Sequence, residues 1–173
     1  MQEDAFTSTW RTFTPEGVIA LRLILACVCG GAIGLEREVG RHDAGLRTHI
    51  LASLAACVFT LVAWELYEDV RIMGGRVSAD PIRVVEAVTA GAGFLSAGII
   101  FHTGERAHGL TTGAGVWTAA AIGIACGAGA YAIAAMTTIL VLIVLFGLTL
   151  VERRLGLKRD VNHAANPDDG GQP

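Results

Sequence analysis

The chain is poor in charged residues, and this shortage excludes the usual soluble classes of protein. Asp, Glu, Lys and Arg together make up 17% of the 173 residues, whereas about a quarter of a soluble domain is charged. The basic residues form no clustered face along the sequence, so no nucleic-acid partner is expected. The nucleophile elbow, phosphate-binding loop and zinc-protease motifs of common enzymes are also missing. We therefore expect neither an enzyme nor an evident cofactor.

Apolar residues are abundant instead and occur in long runs. They account for 53% of the chain, and the mean hydropathy is +0.54. Helical runs of about 20 apolar residues are long enough to cross about 30 Å of hydrocarbon. The sequence predicts an all-α, polytopic membrane bundle of about five transmembrane helices over residues 17–152. The predicted spans cover residues 17–35, 48–66, 81–102, 111–127 and 131–151, between an N-terminal tail (1–16) and a polar, disordered C-terminal tail (153–173).

The four cysteines all fall within predicted spans, at Cys27, Cys29, Cys57 and Cys126. None belongs to a C-x-x-C pair, so we interpret them as small apolar packing residues. A thiolate metal site is not expected.

Two stretches interrupt the apolar pattern with charged residues. Residues 30–49, GGAIGLEREVGRHDAGLRTH, link the first two spans, and residues 91–112, GAGFLSAGIIFHTGERAHGLTT, link the third and fourth. We predict that these stretches meet and form the working surface of the protein. The candidate residues of this motif surface are Glu36, Arg37, Glu38, Asp43, Arg47, Thr48, His49, Glu105, Arg106, Thr111 and Thr112.

The chemistry of the motif surface allows four interpretations. Mg²⁺ keeps most of its waters and needs only one or two carboxylates, so Glu36, Glu38 and Asp43 are weak candidate ligands for it. Three arginines in the same stretch offset those charges, which favours an ion-paired loop that fixes two helix ends. Arg47 and Thr48, at the start of a helix, are placed to bind an anion. A docking surface for another membrane protein is the fourth interpretation.

Glycine is frequent, with 22 residues, and its positions predict close helix packing. A glycine leaves no side chain between two helices, so their backbones approach closely. The predicted packing positions are Gly30, Gly34, Gly91, Gly93, Gly98, Gly109 and Gly123.

The two motif stretches match each other at an offset of 64 residues. Residues 40–48 and 104–112 share the pattern G-x-x-x-x-G-L-x-T, and the same offset relates Gly34 to Gly98 and Arg22 to Glu86. Such a repeat predicts two helical hairpins of the same orientation plus one added helix. It also places Arg22 and Glu86 at equal depth, where pairing would offset the cost of two intramembrane charges. Snorkelling of Arg22 to the nearer interface is the alternative.

The distribution of basic residues predicts the orientation. With five spans, four basic residues lie on the side of the N-terminus and eight on the side of the motif stretches and the C-terminus. Because cytoplasmic segments carry an excess of Lys and Arg, we expect the N-terminus outside and the C-terminus in the cytoplasm.

Several ordered stretches resemble a known family. IGLERE, AGLRTHIL, DPIRVVEAVTAGAGFLSAGIIF and GLTTGAGVWTAAAIGIACGAG are similar to the membrane domain of the MgtC/SapB family over most of residues 21–129. The resemblance implies a bacterial inner-membrane protein linked to growth in low magnesium and, in pathogens, to survival inside host phagocytes. It further implies a regulatory role rather than magnesium transport. Ser96 and Ala87 depart from the family pattern, and we expect a short form without the C-terminal soluble domain of longer members.

Two functions are consistent with these features. The first is a non-catalytic membrane regulator that contacts lipid, other membrane proteins or copies of itself through its Gly-rich helices. The second is a channel or transporter for a small ion such as Mg²⁺, lined by the third and fourth helices. A path needs ionisable groups near the membrane midplane, whereas Arg22 and Glu86 lie near one boundary and the charged loop near the other. The sequence therefore favours the regulator.

Overall fold

The computed structural model describes residues 12–73, 81–101 and 109–154, and the regular structure in these ranges is helical. The five helices are α1 (Glu16–Val39), α2 (Leu46–Ile72), α3 (Pro81–Phe101), α4 (Leu110–Gly127) and α5 (Tyr131–Arg154). The predicted all-α fold is confirmed. Helices α1 and α2 extend beyond the predicted spans, because residues 36–39 and 67–72 continue the helices past the apolar runs.

The chain forms two compact units, Met1–Leu142 and Ile143–Pro173, which divide inside α5. The first unit holds α1 to α4 and the first part of α5. The described part of the second unit is the remainder of α5, residues 143–154. The helical bundle and its candidate sites all belong to the first unit.

Four helical segments are long and apolar enough to cross a membrane: Glu16–Val39, Leu46–Ile72, Ile82–Ile100 and Leu110–Gly127. In the part of α5 whose side chains the structure describes, the apolar segment Tyr131–Gly147 is shorter than these four. Large apolar side chains point outward from the bundle, including Ile24 (60% exposed) and Phe94 (80%). Lipid rather than water suits such a surface. The chain is a multi-pass membrane protein.

Helices α2 and α4 lie side by side and parallel at the centre of the bundle. Three glycines of α4 touch successive turns of α2: Gly115 at His49, Gly123 at Ser53 and Gly127 at Cys57. A Cβ on Gly127 would lie 2.8 Å from the carbonyl oxygen of Cys57, and a Cβ on Gly123 would collide with the backbone of Ser53. Only residues without side chains allow two helices to approach so closely.

Helices α1 and α3 flank this central pair, each antiparallel to the helix that follows it. On α1, Gly34 contacts Leu46 at the start of α2, and Gly30 contacts the next turn at His49. On α4, Gly113 lies against the carbonyl oxygen of Ser96 on α3. The hairpins α1–α2 and α3–α4 therefore run in the same direction, which is the arrangement that the internal repeat predicts.

The glycines predicted to pack differ in their surroundings. Gly30, Gly34 and Gly123 lie at close helix contacts. Gly91 and Gly98 depart from the prediction, because a Cβ at either position would meet no atom within 4 Å; both lie on the exposed side of α3. The remaining two have other roles. A Cβ on Gly93 would lie 4.0 Å from the indole nitrogen of Trp117, and Gly109 has a left-handed φ of 81° at the start of α4.

Two helices of the bundle end in the same hydrogen-bonded turn. After α4, the amide of Gly129 donates to Cys126 O (3.0 Å) and that of Ala130 to Ala125 O (2.8 Å), with a φ of +77° at Gly129. This Schellman turn leads directly into α5. After α1, residues 41 and 42 make the same bonds to residues 38 and 37, but Arg41 occupies the left-handed position with a φ of 55°. Glycine normally takes that position, because an L side chain is strained there.

Candidate functional site

Polar side chains are buried where α1 ends and α2 begins. Arg37 on α1 is 3% exposed, and His49 and Ser53 on α2 are fully enclosed. Thr112, in the first turn of α4, is 3% exposed. With Glu36, these residues form what we call the polar cluster. Buried polar groups in a membrane bundle cost free energy unless they find partners, and in membrane proteins they commonly mark functional sites.

An ion pair neutralises the arginine of the polar cluster. The Nε of Arg37 donates to Oε2 of Glu36 at 2.5 Å, and the two side chains are 4% and 10% exposed. A buried guanidinium that lost its counter-charge would destabilise the fold by several kcal/mol. This geometry agrees with the ion-paired interpretation of the motif surface, and it commits the Glu36 carboxylate to a partner.

His49 occupies the point where three helices meet. Its Nδ1 lies 2.9 Å from the carbonyl oxygen of Gly45, so this nitrogen donates and Nε2 is left as an acceptor. Nε2 has no hydrogen-bond partner among the described residues. It faces Gly115 on α4, where a Cβ would lie 3.0 Å from it. The hydroxyl of Ser53, one turn along α2, likewise has no partner in the described part of the chain.

Glu38 caps the second helix. Its Oε2 accepts the amide hydrogen of Leu46, the first residue of α2, at 3.0 Å. The residue before the helix, Gly45, has no side chain that could do so. A carboxylate at a helix N-terminus satisfies a free amide and interacts favourably with the helix dipole. Glu38, near the end of α1, thus connects α1 to the start of α2.

The interpretation of Glu36, Glu38 and Asp43 as weak candidate ligands for Mg²⁺ stays a prediction. Glu36 is paired with Arg37, Glu38 caps α2, and Asp43 is exposed. The described residues include no group of three His, Cys, Asp or Glu side chains that could hold a metal ion. The three carboxylates therefore do not converge, because each faces a different partner or the surface.

Other members of the motif surface are distributed between surface and core. Arg47, Thr48 and Thr111 are exposed, whereas Thr112 is buried. Glu105 and Arg106 lie outside the described residues, so the predicted contact between the two charged loops stays a prediction. The helices that follow those loops do meet, because Gly115 of α4 contacts His49 of α2.

Arg22 and Glu86 do not form the predicted pair. The Nη1 of Arg22 donates to Gly127 O at 2.7 Å, and its Nε donates to the hydroxyl of Tyr131 at 3.4 Å. Glu86 is exposed on α3. Arg22 instead supplies a cation and a donor to the C-terminal end of α4, whose last carbonyls lack helical partners. The sequence offset related the two residues by position, but α1 and α3 make no contact with each other among the described residues.

Sequence reasoning missed Glu65. Its two carboxylate oxygens accept the amide hydrogens of Phe13 (2.6 Å) and Thr14 (3.0 Å), which fastens the segment before α1 to α2. A carboxylate within the second apolar run was the available signal, since an acidic residue in a span normally has a specific partner.

The family model described as MgtC family matches residues 23–154, which contain the whole polar cluster. The chain belongs to the MgtC family. YhiD of Escherichia coli K12, a candidate magnesium transporter by its name, is 39% identical over 125 residues, covering 72% of this chain and 58% of YhiD. Protein SapB of Bacillus subtilis is 36% identical over 146 residues, covering 82% and 61%. Protein MgtC of Brucella suis is 39% identical over 119 residues, covering 69% and 46%.

This MgtC-family chain spans about half to three fifths of the length of those relatives. The region in common includes α1 from residue 23, the polar cluster and the central α2–α4 pair. No solved structure matches the chain.

Proposed function

We propose that this protein is a non-catalytic regulator in the bacterial cytoplasmic membrane, which supports growth and survival in low Mg²⁺ by contacting other membrane proteins. Its membership of the MgtC family and the magnesium-related name of YhiD support the link to magnesium. The relatives are bacterial proteins, which supports the location.

The tight contact between α2 and α4 supports a regulator over a transporter whose path runs between these two central helices. Mg²⁺ dehydrates reluctantly, and with its six waters it is roughly 7 Å across, given metal–oxygen distances of about 2.1 Å. The backbones of α2 and α4 touch at Gly123 and again at Gly127, where an added Cβ would meet backbone atoms of Ser53 or Cys57. A hydrated ion therefore does not fit between α2 and α4 at these two glycines.

The proposed orientation places the N-terminus outside and the polar cluster on the cytoplasmic side. The antiparallel hairpins put the start of α2 and the start of α4 at the same end of the bundle. Basic residues of the first motif stretch, including the exposed Arg41 and Arg47, lie at that end. The positive-inside rule assigns that end to the cytoplasm.

The outward face of α3 is the proposed contact surface for a partner. Phe94 is 80% exposed and Leu95 is 59% exposed. Large apolar side chains on a helix that packs only on one side suit a second transmembrane helix as well as lipid. A regulator of membrane proteins needs such a surface.

A small-ion channel or transporter is the second candidate, and one observation favours it. The Nε2 of His49 and the hydroxyl of Ser53 are buried in the bundle without partners among the described residues. Unsatisfied polar atoms within a membrane commonly line a path for water or ions.

Ion flux in proteoliposomes separates the two candidates. We expect vesicles that contain the full chain to take up Mg²⁺ no faster than empty vesicles, with or without an imposed proton gradient, while a known magnesium channel in parallel vesicles shows uptake. Saturable uptake that is lost in Glu36→Gln or His49→Phe would refute the regulator and establish the transporter.

Crosslinking tests the partner surface directly. A photo-reactive amino acid at Phe94 should capture a discrete membrane protein in cells grown in low Mg²⁺, whereas the same probe at Val28, an exposed apolar position on α1 (60% exposed), should capture lipid only. Equal capture at both positions would contradict the assignment of the surface to α3.

A further inference from the structure

A cavity of about 540 Å³ opens at the end of the bundle opposite the polar cluster. Its volume is within the range of about 300–1,000 Å³ that small-molecule sites occupy. Its walls come from the segment before α1 and from α1 to α4, and they include Phe13, Val18, Trp64, Tyr67 and Ile124. Most of the lining is therefore aliphatic or aromatic, which suits a hydrocarbon chain.

One cation lies in this apolar wall. Arg22 lines the cavity, and its guanidinium uses two donor positions, toward Gly127 O and the Tyr131 hydroxyl. A guanidinium has five N–H donors. Among the described residues no carboxylate lies within ion-pair distance of it. Glu65, the nearby acid, accepts two backbone amides of the segment before α1. The cavity thus combines an apolar body with one positive charge.

The depth of Arg22 fits a phospholipid headgroup. Arg22 lies six residues after Glu16, the first residue of α1, which is about 9 Å along the helix axis. The headgroup region of a bilayer adds about 5–7 Å on each side of the hydrocarbon core. If α1 begins at the outer edge of that region, the Cα of Arg22 lies about 2–4 Å inside the hydrocarbon boundary, and the long side chain reaches back to the phosphate level. The stacked rings of Trp64 and Tyr67, 5.9 Å between centroids, mark the same interfacial level.

We propose that this cavity binds one acidic phospholipid from the adjoining leaflet, with its phosphate on the guanidinium of Arg22 and one acyl chain along the apolar wall. Arginine is suited to this, because its planar fork donates two parallel hydrogen bonds to a phosphate. The segment before α1, held by Glu65, closes one side of the cavity over the chain. This lipid site is independent of the proposed regulatory function.

Quenching of Trp64 fluorescence by brominated lipids tests the proposal. The full chain, with Trp10→Phe and Trp117→Phe so that Trp64 alone reports, is placed in phosphatidylcholine nanodiscs. Brominated phosphatidylglycerol or brominated phosphatidylcholine is then titrated in. One basic residue near a membrane surface contributes about 1 kcal/mol toward an acidic lipid, which is about a fivefold preference. We expect that preference in the parent protein and its loss in Arg22→Gln.

Arg83→Gln is the matched control, because Arg83 is an exposed cation near the same end of the bundle but does not line this cavity. It should retain the preference. Retention in Arg22→Gln, or an equal loss in Arg83→Gln, would overturn the proposal, since the charge effect would then be general to the surface. Relief of the quenching by millimolar inorganic phosphate would also overturn it, because the site would then recognise free phosphate rather than a lipid.

A second variant covers the case in which Arg22→Gln does not fold, since Arg22 also caps α4. Val18→Phe fills the cavity and leaves the guanidinium in place. We expect it to reduce the quenching by both brominated lipids at least twofold while the thermal unfolding temperature is maintained. Unchanged quenching in a folded Val18→Phe protein would show that no acyl chain occupies the cavity.

Discussion

Replacing Gly123 by alanine tests the closed centre of the bundle, and Gly91→Ala is its matched control. Both residues are glycines inside transmembrane helices. At Gly123 the new Cβ would collide with backbone atoms of Ser53 on α2, which cannot move as a side-chain tip can. At Gly91 the new Cβ would meet no atom within 4 Å. The two substitutions therefore make the same chemical change in opposite surroundings.

The expected magnitudes follow from two opposing effects. Alanine is favoured over glycine in a helix by about 0.5–1 kcal/mol, because it restricts the unfolded chain and protects the backbone. Overpacking a tight contact costs about 1–3 kcal/mol. Because the added Cβ at Gly123 meets backbone atoms, the overpacking cost is taken from the upper part of its range, about 2–3 kcal/mol. Gly123→Ala should therefore lose about 1–2.5 kcal/mol of stability, whereas Gly91→Ala should gain up to about 1 kcal/mol.

Thiol labelling during thermal unfolding in detergent measures the difference. Cys57 and Cys126 are fully enclosed and react with a fluorogenic maleimide only when the bundle opens, while the half-buried Cys27 and Cys29 set the baseline. A change of 1 kcal/mol shifts the unfolding temperature by about 2–4 °C in a chain of this size. We expect a decrease of about 2–10 °C for Gly123→Ala and no decrease for Gly91→Ala.

Equal shifts for the two variants would refute the reasoning, because helix propensity alone would then explain both. An unchanged unfolding temperature for Gly123→Ala would mean that α2 and α4 are further apart than the glycine contacts indicate. The argument that a hydrated ion does not fit between α2 and α4 would then fail as well.

Three further predictions use the same thermal assay. Arg41→Gly should raise stability by up to about 1 kcal/mol, because φ is 55° at this position and glycine relieves the strain; a decrease would contradict the turn geometry. Glu38→Ala should lose about 1 kcal/mol with the cap on Leu46, and no change would show that water serves equally well. Arg37→Gln should lose about 3 kcal/mol, because it leaves the Glu36 carboxylate, whose side chain is 10% exposed, without its ion-pair partner. Exposed Arg47→Gln should change stability by less than about 0.5 kcal/mol; equal losses for the two variants would contradict the burial of Arg37.

The helices were predictable because a membrane span is a local property of the chain. About 20 apolar residues must satisfy their own backbone hydrogen bonds, so each run becomes a helix wherever it lies in the bundle. The short turn at residues 127–130 also followed from local sequence, since Gly129 permits a left-handed φ. The predicted ends of α1 and α2 came too early in the chain, because the last turns of both helices are polar and hydropathy identifies only the apolar part of a helix.

The candidate site was predictable only in part. The sequence placed Glu36, Arg37 and His49 in one charged stretch, and all three are in the polar cluster. It did not distinguish them from Asp43 and Arg47, which are exposed. Burial depends on which side of α1 and α2 faces α4, and the spacing of charges along a loop contains no information about that.

Pairings between helices required the tertiary structure. The 64-residue offset related Arg22 to Glu86, yet Arg22 binds Gly127 O and Glu86 is exposed. The same offset related Gly34, which contacts α2, to Gly98, which contacts nothing within 4 Å. Residues at equal positions in a repeat lie at the same depth in the membrane on helices that run in the same direction. Their contact partners differ, because α2 and α4 pack against different parts of α1 and of α3.

The sequence alone thus determined that the chain is an all-helical membrane protein of the MgtC type, because hydropathy, glycine content and ordered motifs are properties of the residues themselves. The tertiary structure decided which glycines lie at helix contacts, which charged side chains are buried and where a cavity remains. Those features arise from contacts between residues far apart in the chain, and they exist only once α2 and α4 have come together.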